Sequence, residues 1–291
     1  MRTVLAFAAF VFGVFIASVV LTPVLHAFLP FPFERIFRRV QMVAALVGVV
    51  ALGGFRTGTL AGIGMRWTNG SLRCLWLGAL TALPLLAACT VIEVVVGHAS
   101  LQIRQLTLAG WAVRLVTALA TAVAVGVAEE FLFRGFVFTS LRDRLFRGTA
   151  WPGMVVTSAA YALVHHLSVP KVPVGASPGL ADSLSLALAW PRFVWDWHAA
   201  WPSLVGLFLF GMVLNGCAAR TRSLYPSIGL HIGAVAYLRM VRLFVRFPSP
   251  SSLFWGSYLV YDGVIGWVCL GLMALAARRL FPAEGRCLSG R

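Results

Sequence analysis

Apolar residues follow one another along this chain in long runs, each close to the roughly 20 residues that cross a ~30 Å hydrocarbon core. The runs do not alternate with polar residues, so they predict membrane-spanning helices and not barrel strands. We predict about eight spans, near Val4–Leu29, Val40–Phe55, Leu72–Val96, Gly110–Ser140, Pro152–Leu167, Leu204–Ala219, Leu224–Phe244 and Leu253–Leu280. The expected fold class is therefore all-α, a polytopic membrane protein.

The composition supports a membrane protein. Of the 291 residues, 60% are hydrophobic and only 11% are charged, whereas soluble domains carry about a quarter charged residues. A soluble domain of this length needs more polar residues to coat its surface. Within the first run no small-x-small cleavage site follows the apolar stretch, so we expect this run to remain as a membrane anchor.

A net charge of +15 raises the question of a nucleic-acid partner. In a membrane protein, basic loops instead fix the topology and contact anionic lipids, so we expect anionic lipids and no nucleic acid as partners. With eight spans, more basic residues fall on the side that holds both termini. This bias predicts both termini in the cytoplasm and Ser168–Pro202 on the far side. We expect an integral protein of a bacterial inner membrane.

Ionisable residues within apolar spans cost a few kcal/mol each, so each one requires an explanation. The stretch "EEFLFR" holds Glu129, Glu130 and Arg134. On a helix, Glu130 and Arg134 are four residues apart and can pair, while Glu129 points about 100° away from Glu130. Two interpretations stay open: a structural ion cluster, or an ion pair beside a second carboxylate that serves chemistry.

Two further polar positions follow, His165 in "YALVHHL" and His231 in "SLYPSIGLH". A single histidine on an apolar helix is usually a packing residue. Helical rise, however, places Glu129, His165 and His231 at comparable depths from the same membrane face. A carboxylate and two imidazoles in one pocket can activate water against a carbonyl, or can hold a metal that does so.

These three motifs in this order resemble those of the CAAX protease and bacteriocin-processing family of intramembrane proteases, which includes the endoproteases that trim prenylated CAAX proteins. The likeness covers about Gly110 to Leu238 and implies a four-helix catalytic core. We accordingly divide one structural domain into N-terminal transmembrane helices at 1–109, the core at 110–245, and a C-terminal transmembrane helix with a basic tail at 246–291.

The resemblance implies a role for each matching residue. Glu129 corresponds to the catalytic glutamate that activates water together with His165, and His231 would stabilise the oxyanion. Glu130 and Arg134 occupy the remaining positions of the first motif, where the helical spacing suggests an orienting ion pair. The implied substrate is a membrane protein or peptide with a hydrophobic or lipidated C-terminus. No tetrahedral ligand pattern is present, so we expect a metal-independent reaction, with a divalent metal such as zinc left open as a cofactor.

Two departures from the family pattern leave other functions open. Tyr161 stands where the second motif usually has Phe, and Val235 stands one turn after His231, where relatives often have Asn. Asn215 and Tyr237 are candidate replacements for that amide. A non-catalytic relative, acting in toxin-peptide immunity or as a scaffold, and a proton- or ion-coupled transporter are the alternatives. The internal repeats typical of transporters are absent from the sequence.

Overall fold

The computed structural model describes residues 2–49, 62–166, 178–188, 197–248, 251–281 and 283. By its internal contacts the chain forms two compact units, residues 1–59 with 163–200 and residues 60–162 with 201–291.

The first unit is built on a helical hairpin. Helix α1 (Arg2–His26) leads into α2 (Phe33–Val49), and the short helix α6 (Leu180–Leu188) packs beside them. Phe33 and Phe37 on one face of α2 are buried against Leu186 of α6, and Phe15 of α1 packs on the same cluster. The first turns of α2 also carry polar side chains, one glutamate and several arginines.

The second unit holds the motif-bearing segments. Its elements are α3 (Ser71–Val95), β1 (Ser100–Leu101), α4 (Leu108–Glu130), two π-helical segments (Phe131–Phe138 and Leu141–Leu145), most of α5 (Ala150–His166), most of α7 (Trp197–Thr221), α8 (Tyr225–Met240), a 3-10 turn (Val241–Leu243), β2 (Val245–Arg246) and α9 (Val264–Leu280). Strands β1 and β2 pair antiparallel, with Ser100 opposite Arg246. This small sheet is a minor departure from the predicted all-α class.

Helix α8 lies at the centre of this unit and packs closely on α3. A Cβ atom on Gly229 would lie 2.0 Å from the carbonyl oxygen of Leu75, and one on Gly233 would lie 2.6 Å from that of Ala79. Small residues four apart allow membrane helices to approach this closely. His231 is two positions from each of these glycines, and residues two apart on a helix point about 200° apart. Because the glycines face α3, His231 lies on the opposite side of α8.

Helix α4 packs on that other side through a stripe of small residues. Ala118, Ala122, Gly126 and Glu130 are its buried positions, and they recur every four residues on one face. A Cβ on Gly126 would lie 2.9 Å from the side chain of Ile232 on α8. The stripe of small residues that packs α4 against α8 therefore ends at Glu130, whose carboxylate points toward α8.

Four segments in the described part of the chain are long and apolar enough to cross a membrane: Ala8–His26, Ser71–Val95, Leu108–Leu145 and Trp197–Thr221. The chain is an integral membrane protein and is mostly helical. Helices α2, α5, α8 and α9 have only 16 or 17 residues, at or below the lower end of the spanning range, so the number eight stays a prediction.

Several boundaries differ from the sequence prediction. The last span begins only at Val264, because residues 253–263 form turns in which Asp262 accepts hydrogen bonds from the Ser257 backbone and hydroxyl at 2.8 and 2.5 Å. Within the predicted connection 168–202, residues 180–188 and 197–202 are helical. Positions 50–55 of the second predicted span and residues 168–177 and 189–196 of that connection lie outside the described residues.

The close α3–α8 contact yields a stability prediction. Gly229→Ala puts a methyl group against a backbone carbonyl that cannot move alone, and overpacking of this kind typically costs about 1–3 kcal/mol. We expect lower membrane accumulation and a lower melting temperature in detergent. Gly271→Ala on α9 is the matched control, because a Cβ there meets nothing within 4 Å. Equal melting temperatures for the two variants would contradict the packing described here.

Candidate active site

The acidic pair lies where α4 changes its helical form. Glu130 is the last residue of α4, and the π-helix Phe131–Phe138 begins immediately after it. A π-helix widens the turn through i→i+5 hydrogen bonds and frequently occurs at functional sites. The sequence predicts a continuous α-helix here, so this change of form is a feature that the apolar pattern does not reveal.

The predicted ion pair between Glu130 and Arg134 is present and is fully buried. Arg134 Nη1 donates to Glu130 Oε1 at 3.0 Å, and both side chains are 0% exposed. Arg134 Nη2 donates to the carbonyl of Gly211 on α7 at 3.4 Å, and the guanidinium lies over the ring of Tyr161 at 4.6 Å. The arginine thus connects α4, α5 and α7 at one buried point.

His231 lies between the two glutamates. Its Nδ1 is 2.9 Å from Glu130 Oε1, and its Nε2 is 3.7 Å from Glu129 Oε2. Since an ionised carboxylate only accepts hydrogen bonds, the Nδ1–H of His231 donates to Glu130. A carboxylate in this position fixes the orientation of the ring and directs Nε2 toward Glu129, as the buried aspartate does for the histidine of serine proteases.

The four groups differ sharply in accessibility. Glu130 and Arg134 are 0% exposed and His231 is 2% exposed, whereas Glu129 is 21% exposed. Glu129 is therefore the most exposed of these four side chains, although its Oε2, the oxygen that faces His231, is buried.

The second motif lies on α5. Tyr161 is buried, and its ring meets those of Phe133 and His231 edge-on, with centroids 5.1 and 6.2 Å away. The Tyr161 ring therefore forms part of the packing around His231. His165 is exposed in the last turn of α5, one helical turn after Tyr161, in a stretch that belongs to the first unit. Its role as the partner of Glu129 stays a prediction.

The two candidate replacements for the missing amide are engaged elsewhere. Asn215 Nδ2 donates to Ser158 Oγ at 2.9 Å and to the Met154 carbonyl at 3.3 Å. The hydroxyl of Tyr237 is hydrogen-bonded to Thr90 on α3. Val235 itself is half-buried on α8. The side chains of Asn215 and Tyr237 thus serve helix packing, and neither contact directs a donor toward His231.

Among the described residues, His231 and Glu129 present too few donors for a zinc site. Throughout the described ranges, no three His, Cys, Asp or Glu side chains converge so that they could hold a metal ion. His231 uses Nδ1 for Glu130, which leaves Nε2 and the Glu129 carboxylate as two neighbouring donors, fewer than the three protein ligands of catalytic zinc centres.

Sequence reasoning missed the bond between Glu130 and His231. The two residues are 101 positions apart, and no local spacing reports such a contact. The available signal was the small-residue stripe on α4 together with the glycines that flank His231, since these define the facing surfaces of α4 and α8.

Fold and site define an integral membrane protein whose helices bury a glutamate–histidine–arginine cluster beside one accessible carboxylate. Residues 110–237 match the family described as Type II CAAX prenyl endopeptidase, Rce1-like. This match to a protease family confirms the resemblance seen in the motifs. No curated protein and no solved structure matches the chain at a significant level.

The buried ion pair leads to a second stability prediction. Arg134→Leu leaves Glu130 as a buried charge without its cation, which typically costs about 3–5 kcal/mol, so we expect severe loss of folded protein. Arg142→Leu is the control, because its pair with Asp143 is at the surface, and such pairs are worth about 0–1 kcal/mol. The double variant Glu130→Gln/Arg134→Gln removes both charges and should be more stable than Arg134→Leu. Similar melting temperatures for Arg134→Leu and Arg142→Leu would contradict this account.

Proposed function

We propose that this protein is an intramembrane endopeptidase that cleaves a membrane-associated protein or peptide near a hydrophobic or lipidated C-terminus. The observation that carries the proposal is the asymmetry of the two glutamates: Glu130 is wholly buried and bound to His231 and Arg134, while Glu129 is accessible beside the same imidazole. A purely structural ion cluster has no need of the second, accessible carboxylate.

In the proposed first step, Glu129 accepts a proton from a water molecule as that water attacks the scissile carbonyl. His165 shares in orienting this water, the role that the second motif implies for it.

Attack of the water produces a tetrahedral intermediate with a negatively charged oxygen. His231, protonated on both nitrogens, donates from Nε2 to this oxyanion while its Nδ1–H stays on Glu130. Glu130 and Arg134 act as positioning residues, because they hold the imidazole but do not themselves reach the reacting atoms. Donors held in place before the reaction stabilise the developing charge without reorganisation.

When the intermediate collapses, the C–N bond breaks and the leaving amine takes the proton that Glu129 received from water. The carboxylate is thereby restored for the next turnover. This sequence uses no metal ion, in agreement with the two-donor geometry at His231 and Glu129. Cleavage should therefore persist after treatment with a metal chelator.

Replacement of the proposed base tests the function directly. Glu129→Gln keeps the size and hydrogen bonding of the side chain but removes the proton acceptor, so cleavage should fall by about two orders of magnitude or more while the protein still accumulates. The measurement is quantitative proteomics of membrane-protein C-termini in cells that express each variant, which also identifies the substrates. Glu93→Gln, at a buried glutamate on α3, is the matched control and should leave the C-termini unchanged. Identical C-termini with wild type and Glu129→Gln would refute the protease assignment.

The valine one turn after His231 gives a prediction of increased activity. Val235→Asn adds an amide donor on the same face of α8 as His231, where it can reach the oxyanion. We expect single-turnover cleavage to rise by up to about 10²-fold with little change in substrate affinity, because only the transition state carries the charge. Val235→Ala, which adds no donor, should leave the rate unchanged. A rate that falls in Tyr237→Phe and does not rise in Val235→Asn would show that Tyr237 already supplies the donor.

A further inference from the structure

A long groove separates α1 from α2 in the first unit. It has a volume of about 890 Å³ and is lined by apolar side chains of both helices, except at Arg35 and Arg39 of α2. Gly13 of α1 borders open space, since a Cβ atom there would meet nothing within 4 Å. Val43 and Val47, further along α2, stay more than half exposed although they line the groove.

Both charges lie at one end of the groove. Arg35 and Arg39 are one helical turn apart, near the connection between the two helices, and the lining continues from there to Gly48 with apolar residues only. Among the described residues, no hydrogen bond or ion pair engages either guanidinium. Two guanidinium groups at the head of an apolar channel complement a molecule with an anionic head and a hydrocarbon tail.

The length of the apolar part agrees with such a molecule. Gly48 lies nine positions after Arg39, which corresponds to about 14 Å along α2. One leaflet of a ~30 Å hydrocarbon core is about 15 Å thick. An extended acyl chain anchored by its headgroup at the arginines therefore spans the groove.

We propose that the groove between α1 and α2 is a binding site for a phospholipid with an anionic headgroup. Arg35 and Arg39 bind the phosphate, and one acyl chain lies along Gly13, Val43 and Val47. Guanidinium groups suit this task, because their planar donors match two phosphate oxygens at once. The site is independent of the proposed proteolysis and involves none of the residues assigned to it.

The charge requirement is tested by native mass spectrometry of the full-length protein in detergent, with phosphatidylglycerol or phosphatidylcholine added. We expect wild type to retain phosphatidylglycerol preferentially, and Arg35→Gln/Arg39→Gln to lose about an order of magnitude of that retention. Arg38→Gln is the matched control, since Arg38 is exposed on the same helix but does not line the groove. Equal retention of the two lipids by wild type, or equal loss in the control, would overturn the proposal.

The acyl channel is tested separately, with the arginines intact. Gly13→Leu fills open space in the groove and also favours the helix, since leucine is a better helix former than glycine, so the variant should fold. It should lose phosphatidylglycerol, whereas Gly271→Leu, at an equally open glycine on α9, should retain it. Unchanged retention in Gly13→Leu overturns the site. Displacement of the lipid by a farnesylated peptide would instead assign the groove to a substrate tail.

Discussion

A single carboxylate oxygen, Glu130 Oε1, joins the three buried polar side chains at the candidate active site. Glu130 Oε1 accepts from Arg134 on its own helical segment and from His231 on α8, and all three side chains are withdrawn from solvent. In a low-dielectric interior each of these charges is costly without the others, so the three persist only as a set. The position of His231, and with it the geometry toward Glu129, follows from this shared acceptor.

Close helix packing makes that shared contact attainable. Gly229 and Gly233 bring α8 against α3, and Gly126 brings α4 against Ile232 on the other side of α8. In a membrane, where lipid tails are as apolar as leucine, small residues and buried polar contacts provide much of the specific helix association. The glycines therefore determine the distance across which Glu130 and His231 meet.

Local spacing in the sequence was enough to predict the Glu130–Arg134 pair, because four residues on a helix fix the geometry. The fold class and the motif-bearing core also followed from apolar runs and motif order. The hydrogen bond between Glu130 and His231 could not be predicted from the sequence, since it depends on which faces of α4 and α8 meet. The π-helix after Glu130 and the packing roles of Asn215 and Tyr237 likewise depend on tertiary contacts that no single segment encodes.

Under the proposed function, the different burial of the two adjacent glutamates also affects which inactivating substitutions the fold tolerates. A lineage without need of the proposed proteolysis would lose less stability on replacing Glu129, since that side chain is 21% exposed. The same lineage cannot discard Glu130 or Arg134 one at a time, because the first loss leaves the other charge stranded in the interior. An inactive descendant would therefore be recognised by an intact second glutamate and arginine beside a replaced first glutamate.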